Sequence, residues 1–287
     1  MEEKKIEENA RQKTIKSSVS YTGFGLHSGK PSTVIFKPAP SGSGVVFVRT
    51  DLPGNPQIPA KADYVTATVR ATTLTAGDVS IFTVEHLLAA LFITDIDNCI
   101  IEMDGPEPPV ADGSALPYVE LLQNAGTDEQ DMPRDICRLD KSFSIHDGDR
   151  YVLVVPYDGQ RFSFLSINDH PLLGSQYIDA LIGETDLARD IAPARTIAFM
   201  HEIEGLQKMG LGLGGSPENV IIYDKDKVLT PLRFEDELVR HKVLDIMGDL
   251  FLAGRFYGHV IAVKSAHALN TALAVKIAKY KEERERS

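Results

Sequence analysis

Tryptophan is absent from the 287 residues, and cysteine occurs only at Cys99 and Cys137. Two cysteines without paired spacing build neither a disulfide framework nor a thiolate metal site, so a reducing cytoplasm is the expected compartment. No apolar run reaches the ~20 residues that a membrane-spanning helix needs. Residues 1–16 are charged throughout, lack the apolar core of a secretory signal, and read over 1–13 as a frayed extension. An excess of basic charge is also missing. Lysine and arginine total 30 against 41 aspartate and glutamate, a formal net charge of −11. That balance argues against nucleic acid as the main partner, yet leaves room for a small anion held by a few local cations. Finally, the glycine-rich stretch 210–216 lacks the G-x-x-x-x-G-K-[ST] spacing of a phosphate loop and reads as a turn-rich connection.

What the chain does contain is one arrangement given twice. Strand-like runs at 17–22, 33–37 and 45–49 are separated by Gly, Pro and Ser turns. An apolar helix over 83–92, a strand over 99–103 and a helix over 116–124 follow. The second half repeats the order, with strands at 141–146, 151–156 and 161–167, a helix over 235–253, a strand over 259–264 and a helix over 269–281. Strands followed by a helix–strand–helix unit, stated twice, predict an α+β protein of two similar domains. The expected limits are 14–130 and 138–287, joined through a polar stretch at 128–138. The second half carries extra material at about 176–232.

The second-half helix holds the first chemical signal. His241, Asp245 and Asp249 are four residues apart, which puts them on one helical face. Such pairs are often solvated ion pairs of little energetic weight. Here Val243, Leu244, Ile246, Met247 and Leu250 make most of the helix apolar, and charges on a buried helix need partners. A metal supplies them. Catalytic zinc sites use three protein ligands and leave one position open. His241 and Asp245 are two, and the repeat supplies His86, on the equivalent first-half helix, as the third. Glu85 adjoins His86 and can reach water at such a centre without binding the ion. His267, just after a strand, can protonate a leaving amine, with Asp249 holding its ring.

Together these stretches resemble a known family, the UDP-3-O-acyl-N-acetylglucosamine deacetylases, zinc amidases of lipid A synthesis. The similarity runs from about 14 to 281. It is carried by Gly-Phe-Gly-Leu-His-Ser-Gly at 23–29, Thr-Val-Glu-His-Leu at 83–87, Asp-Gly-Ser-Ala at 112–115, Ala-Arg-Thr at 194–196, Leu-Gly-Leu-Gly-Gly-Ser at 211–216, Arg-Phe-Glu-Asp-Glu at 233–237, Arg-His-Lys-Val-Leu-Asp at 240–245 with Gly248-Asp249, and Lys-Ser-Ala-His-Ala-Leu-Asn at 264–270. The resemblance implies two β-α-α-β domains forming a two-layer sandwich, with the active site between them. It implies Zn²⁺, or Fe²⁺, on His86, His241 and Asp245, with Glu85 as base and His267, supported by Asp249, as acid. It makes Thr196 the oxyanion donor and Lys242 a contact to the substrate head group. It sets Phe199, Met200, Ile203, Leu206 and Met209 along an acyl passage. The implied partner is a UDP-acyl-sugar, bound by a monomer. Two positions depart from the family: Ile197 stands where phenylalanine is frequent, and Ala266 where glycine often precedes the histidine. Two other classes share the ligand set. Non-haem Fe(II) oxygenases need oxygen and a co-substrate, and a metal-stabilised structural protein would be indifferent to loss of the Glu85 carboxylate. The full-length resemblance weighs against both.

Overall fold

The structure is a computed structural model that describes residues 10–286. Residues 1–9 of the expected extension lie outside the described residues. The first half forms β1 (Arg11–Ile15), β2 (Val19–Phe24), β3 (Pro31–Pro38), β4 (Val45–Arg49), β5 (Gln57–Pro59), β6 (Val65–Ala67), β7 (Thr73–Ala76), β8 (Val79–Phe82), α1 (Glu85–Ile93), β9 (Cys99–Met103), α2 (Leu116–Ala125) and β10 (Thr127–Pro133). The second half forms β11 (Ile136–Arg138), β12 (Phe143–Asp147), β13 (Arg150–Val155), β14 (Gln160–Ile167), β15 (Ser175–Leu181), the single turn α3 (Leu187–Asp190), β16 (Ile197–Phe199), α4 (Met200–Lys208), β17 (Ile221–Asp224), β18 (Lys227–Val228), α5 (Glu237–Phe251), β19 (Arg255–Val263) and α6 (His267–Glu285).

The repeat read in the sequence is a repeat of topology. One sheet has the order β2-β3-β9-β4-β5 and the other β12-β13-β19-β14-β15, with β11 added beside β19. In each, the strand after the site helix enters the middle of the sheet. It is antiparallel to one neighbour and parallel to the other, as β9 is to β3 and β4 and β19 is to β13 and β14. The central strands alternate: Cys99, Ile101 and Met103 are buried and the residues between them are not. That period of two lets one face of each sheet cover the helices while the other meets water.

The two halves share one core. α1 packs on α5, α5 on α6 and α1 on α2, and α5 also lies on β14. The rings of Phe92 on α1 and Phe162 on β14 meet edge-on, with centroids 6.0 Å apart. Helix on helix between two sheets gives the α+β architecture that the pattern predicts.

Three expectations need correcting. The segment from Arg11 is strand β1, paired antiparallel with β10, rather than frayed. Its alternation with a buried Ile15 is too short to stand out within a charged run. β15 is not extra material, since it pairs with β14 along its whole length. The added elements begin after it, and both halves carry them. A three-stranded sheet β6-β7-β8 precedes α1, and another, β16-β17-β18, precedes α5. Strands of two to four residues lie below the length at which hydrophobic alternation is visible.

Candidate active site

The site lies where α1 and α5 cross. Thr83 takes a left-handed backbone at φ 60°, turning the chain from β8 into α1. Glu85 and His86 are therefore the first two residues of that helix. On α5, His241, Asp245 and Asp249 occupy successive turns, all buried. α6 begins at His267, directly after the central strand β19.

His86, His241 and Asp245 each offer a ligand atom, and these atoms lie within 4.8 Å of one another. Asp245 Oδ1 stands 3.6 Å from His86 Nε2 and 3.4 Å from His241 Nε2. The two imidazoles are edge-on, with centroids 5.0 Å apart. Asp245 Oδ1 is buried and has no hydrogen-bond partner. An orphaned carboxylate oxygen costs about 1–3 kcal/mol unless something cationic meets it. The other oxygen, Oδ2, accepts from Lys242 Nζ at 2.8 Å. His241 Nδ1 lies 3.1 Å from the Ala194 carbonyl, which can only accept, so Nδ1 carries the proton and Nε2 presents its lone pair. Burial lowers the His241 pKa to about 3, keeping the ring neutral. Burial works to raise the Asp245 pKa, but the surrounding positive charge, Lys242 at 2.8 Å included, outweighs it and holds the carboxylate ionised. Two imidazoles and one carboxylate are a donor set suited to a divalent ion.

Beside this triangle stands an acid–base pair. Glu85 Oε1 is 4.0 Å from His267 Nε2. Burial raises the Glu85 pKa, which makes the carboxylate a better proton acceptor. At His267 burial acts downward, but the Asp249 and Glu85 carboxylates win and push its pKa up to about 10. Asp249, wholly buried, accepts from His267 Nδ1 and from Asn270 Nδ2, each at 2.9 Å. Asp249 is thus the partner of His267.

Thr72, between β6 and β7, carries no sequence signal yet belongs to the site. Its backbone N–H donates to Glu85 Oε2 at 3.0 Å and its hydroxyl to Asp249 Oδ1 at 2.6 Å, so one buried residue orients both Glu85 and the carboxylate that holds His267. Nothing in a run of Ala, Thr and Thr marks such a role. Nor does the sequence mark the pairing of Arg195 with Glu237. Glu237, fully buried, accepts from Arg195 Nε at 2.9 Å and from the Arg233 N–H at 2.6 Å. The pair anchors the segment that carries both the Ala194 carbonyl and Thr196 to the start of α5.

A cavity of about 610 Å³ opens on the triangle. Its size suits a ligand larger than an isolated acetamide. Glu85, His86, Thr196, His241, Lys242, Asp245 and His267 line it, with Phe199, Ile203 and Leu206 of the expected acyl passage. Met200 and Met209 do not line it: they are 40% and 67% exposed. Ile203 and Leu206 are one turn apart on one face of α4, Phe199 precedes the helix as the last residue of β16, and Met200 is the helix's exposed first residue. Met209 caps the helix end. Four cations also line the cavity: Arg70, Arg150, Lys242 and Lys264. Ile197 lines the wall as well. Ala266 has φ −151°, an extended backbone open to any residue, so glycine is not needed there.

Fold and site together define a class: a duplicated α+β protein whose two halves meet at a cluster able to hold one divalent ion beside a buried carboxylate and a cationic histidine. Comparison with known proteins places the chain within it. A family model described as UDP-3-O-acyl N-acetylglycosamine deacetylase matches residues 12–279. Proteins named UDP-3-O-acyl-N-acetylglucosamine deacetylase are 46% identical over 269 residues in Myxococcus xanthus, covering 93% of this chain and 86% of the relative. The relative of that name in Shewanella violacea is 46% identical over 91% and 88%. The one in Bdellovibrio bacteriovorus is 43% identical over 93% and 89%. The chain belongs to the UDP-3-O-acyl N-acetylglycosamine deacetylase family.

Proposed function

We propose that the protein removes the N-acetyl group from UDP-3-O-(3-hydroxyacyl)-N-acetylglucosamine, releasing acetate, in lipid A biosynthesis, and that it does so with Zn²⁺ held by His86, His241 and Asp245. Family membership supports the reaction. The observation that carries the metal assignment is the unpartnered Asp245 oxygen facing two imidazole nitrogens. Fe²⁺ is compatible with the same donors.

His86, His241 and Asp245 would hold the divalent ion, which when bound would supply Lewis acidity to the acetamide carbonyl and to water. The side chains supply the rest. Glu85, adjacent to His86 and raised in pKa by burial, takes the proton of the attacking water. The Thr196 hydroxyl, in the same cavity wall, donates to the oxygen that gains negative charge. His267, cationic through its contact with Asp249, gives its proton to the amide nitrogen as the carbon–nitrogen bond breaks. Lys242, Arg150 and Lys264 give the cavity the positive charge that a diphosphate needs in a protein of net charge −11. Phe199, Ile203 and Leu206 receive the acyl chain.

Acetate release from the UDP-acyl-sugar, measured before and after chelation and after adding back Zn²⁺ or Fe²⁺, tests this reading. The expected result is loss on chelation and recovery with metal. Activity indifferent to chelator would overturn the metal assignment, and absence of acetate release by the metal-loaded protein would overturn the substrate.

A further inference from the structure

The cavity wall holds a polar group that the mechanism does not use. His27 sits in the turn between β2 and β3 and is 8% exposed. Its ring lines the cavity in company with Leu26, Ile203, Leu206 and Leu211. Nδ1 accepts the Gly212 N–H at 3.2 Å, so the ring proton of the neutral form is on Nε2. Nε2 is buried and has no hydrogen-bond partner. Burial lowers the pKa of the ring, with the Glu107 carboxylate and the Arg70 backbone carbonyl acting against it.

The surroundings hold this N–H in place. The Leu213 N–H donates to the His27 carbonyl at 3.2 Å and the Gly214 N–H to the Leu26 carbonyl at 2.9 Å, docking the 210–216 loop on the turn. Glu107 clamps the turn from the other side. It accepts from the His27 and Ser28 N–H groups, each at 2.8 Å, and from the Thr83 hydroxyl at 3.0 Å. A Cβ at Gly25 would lie 2.2 Å from Glu107 Oε2, so only glycine lets the carboxylate seat there. So much fixed structure behind one unsatisfied donor is characteristic of a group that waits for a ligand acceptor.

We propose that His27 Nε2–H donates to the ester carbonyl that joins the acyl branch to the sugar, and so makes His27 a specificity-determining residue. This rests on the function proposed above. The acyl branch is the part of that substrate that enters an apolar wall, and its ester carbonyl is a pure acceptor at the point of entry. Burial keeps the imidazole neutral, which suits a neutral oxygen better than the diphosphate. The diphosphate has the cavity's cations.

Two substrates test it, the ester and the ether in which a methylene replaces the ester carbonyl. Both keep the reacting acetamide. Wild type should favour the ester by about tenfold in kcat/KM, the worth of one good hydrogen bond. His27→Phe, which also removes the Nδ1 acceptor of the Gly212 N–H, should abolish the preference by lowering ester turnover about tenfold more than ether turnover. His27→Gln, which keeps a side-chain N–H, should restore part of the preference. Equal turnover of ester and ether by wild type would overturn the inference even if no variant folds. So would an unchanged preference in His27→Phe, or equal losses on both substrates. Failure of wild type to deacetylate the ester at all would instead overturn the proposed function.

Discussion

Gly248 of α5 presses against Glu85 of α1 so closely that a Cβ on Gly248 would lie 2.0 Å from the Glu85 carbonyl oxygen. The two site helices cross at Glu85 and Gly248, and the glycine sets how near they come. Gly248→Ala must therefore move the base. Over-packing of this kind costs about 1–3 kcal/mol, and a base displaced by a fraction of an ångström loses rate. We expect a lower melting temperature and kcat reduced by at least about tenfold, with metal content retained. Wild-type kcat and stability in this variant would show that the helices are free to separate.

Removing the proposed ligand and the proposed acid should give opposite signatures. Asp245→Ala is expected to lower bound zinc and activity together. His267→Ala should leave zinc bound and cut kcat by roughly 10²–10⁴-fold, the usual range for acid–base catalysis. Metal analysis beside steady-state kinetics separates the two. Full zinc content in Asp245→Ala would remove it from the ligand set.

Thr72 predicts a subtler effect. Thr72→Val keeps the backbone N–H to Glu85 but leaves Asp249 Oδ1 without its donor. A buried acceptor so orphaned costs about 1–3 kcal/mol. Stability should fall by that amount, and kcat should fall as His267 loses a firmly held partner. Thr72→Ser should restore both. Equal behaviour of the serine and valine variants, measured by denaturation and kcat, would mean that the hydroxyl does not support the acid.

Much of this was legible in the sequence, and the limits have physical causes. Long elements with strong periodicity, such as the helices carrying His86 and His241, declared themselves. So did the i, i+4 spacing of His241, Asp245 and Asp249, because helical geometry converts spacing directly into a shared face. The third ligand needed the repeat, which the sheets bear out as identical strand order. Thr72 was invisible, and Arg195 and Glu237, though each stands in a stretch shared with the family, gave no sign that they pair. Their roles depend on contacts between residues 13 to 177 positions apart, and no local pattern encodes such a meeting. The short strands around them fall below the range of hydrophobic alternation. Met200 and Met209 mislead for the opposite reason: they are apolar residues, but they stand exposed at the two ends of α4.

His267 predicts a pH dependence. Its folded pKa, about 10, lies above the ordinary value of 6.5. A raised histidine stabilises fully below its unfolded pKa and loses that contribution as pH climbs through the folded one. The stability gap between the metal-free wild type and His267→Gln should be widest below pH 6.5 and shrink toward pH 10. Urea denaturation across that range reads it, and a gap that widens with pH would reverse the assignment of charge.

Glu237 offers the last test, because it joins catalysis to architecture. It accepts from the Arg195 backbone N–H as well as its guanidinium, and so holds the residue next to Thr196 from two directions. Breaking a buried ion pair by removing one partner typically costs 3–5 kcal/mol. Glu237→Ala should be destabilised on that scale. Glu237→Gln keeps an acceptor for the Arg195 N–H, so it should fold yet place Thr196 less firmly. Weaker stabilisation of the oxyanion lowers kcat and leaves KM nearly unchanged, since the interaction is made in the transition state. A fall in kcat of about tenfold or more in Glu237→Gln, with zinc retained, is expected. A rise in KM at constant kcat would instead tie this pair to substrate binding and remove Thr196 from the oxyanion role.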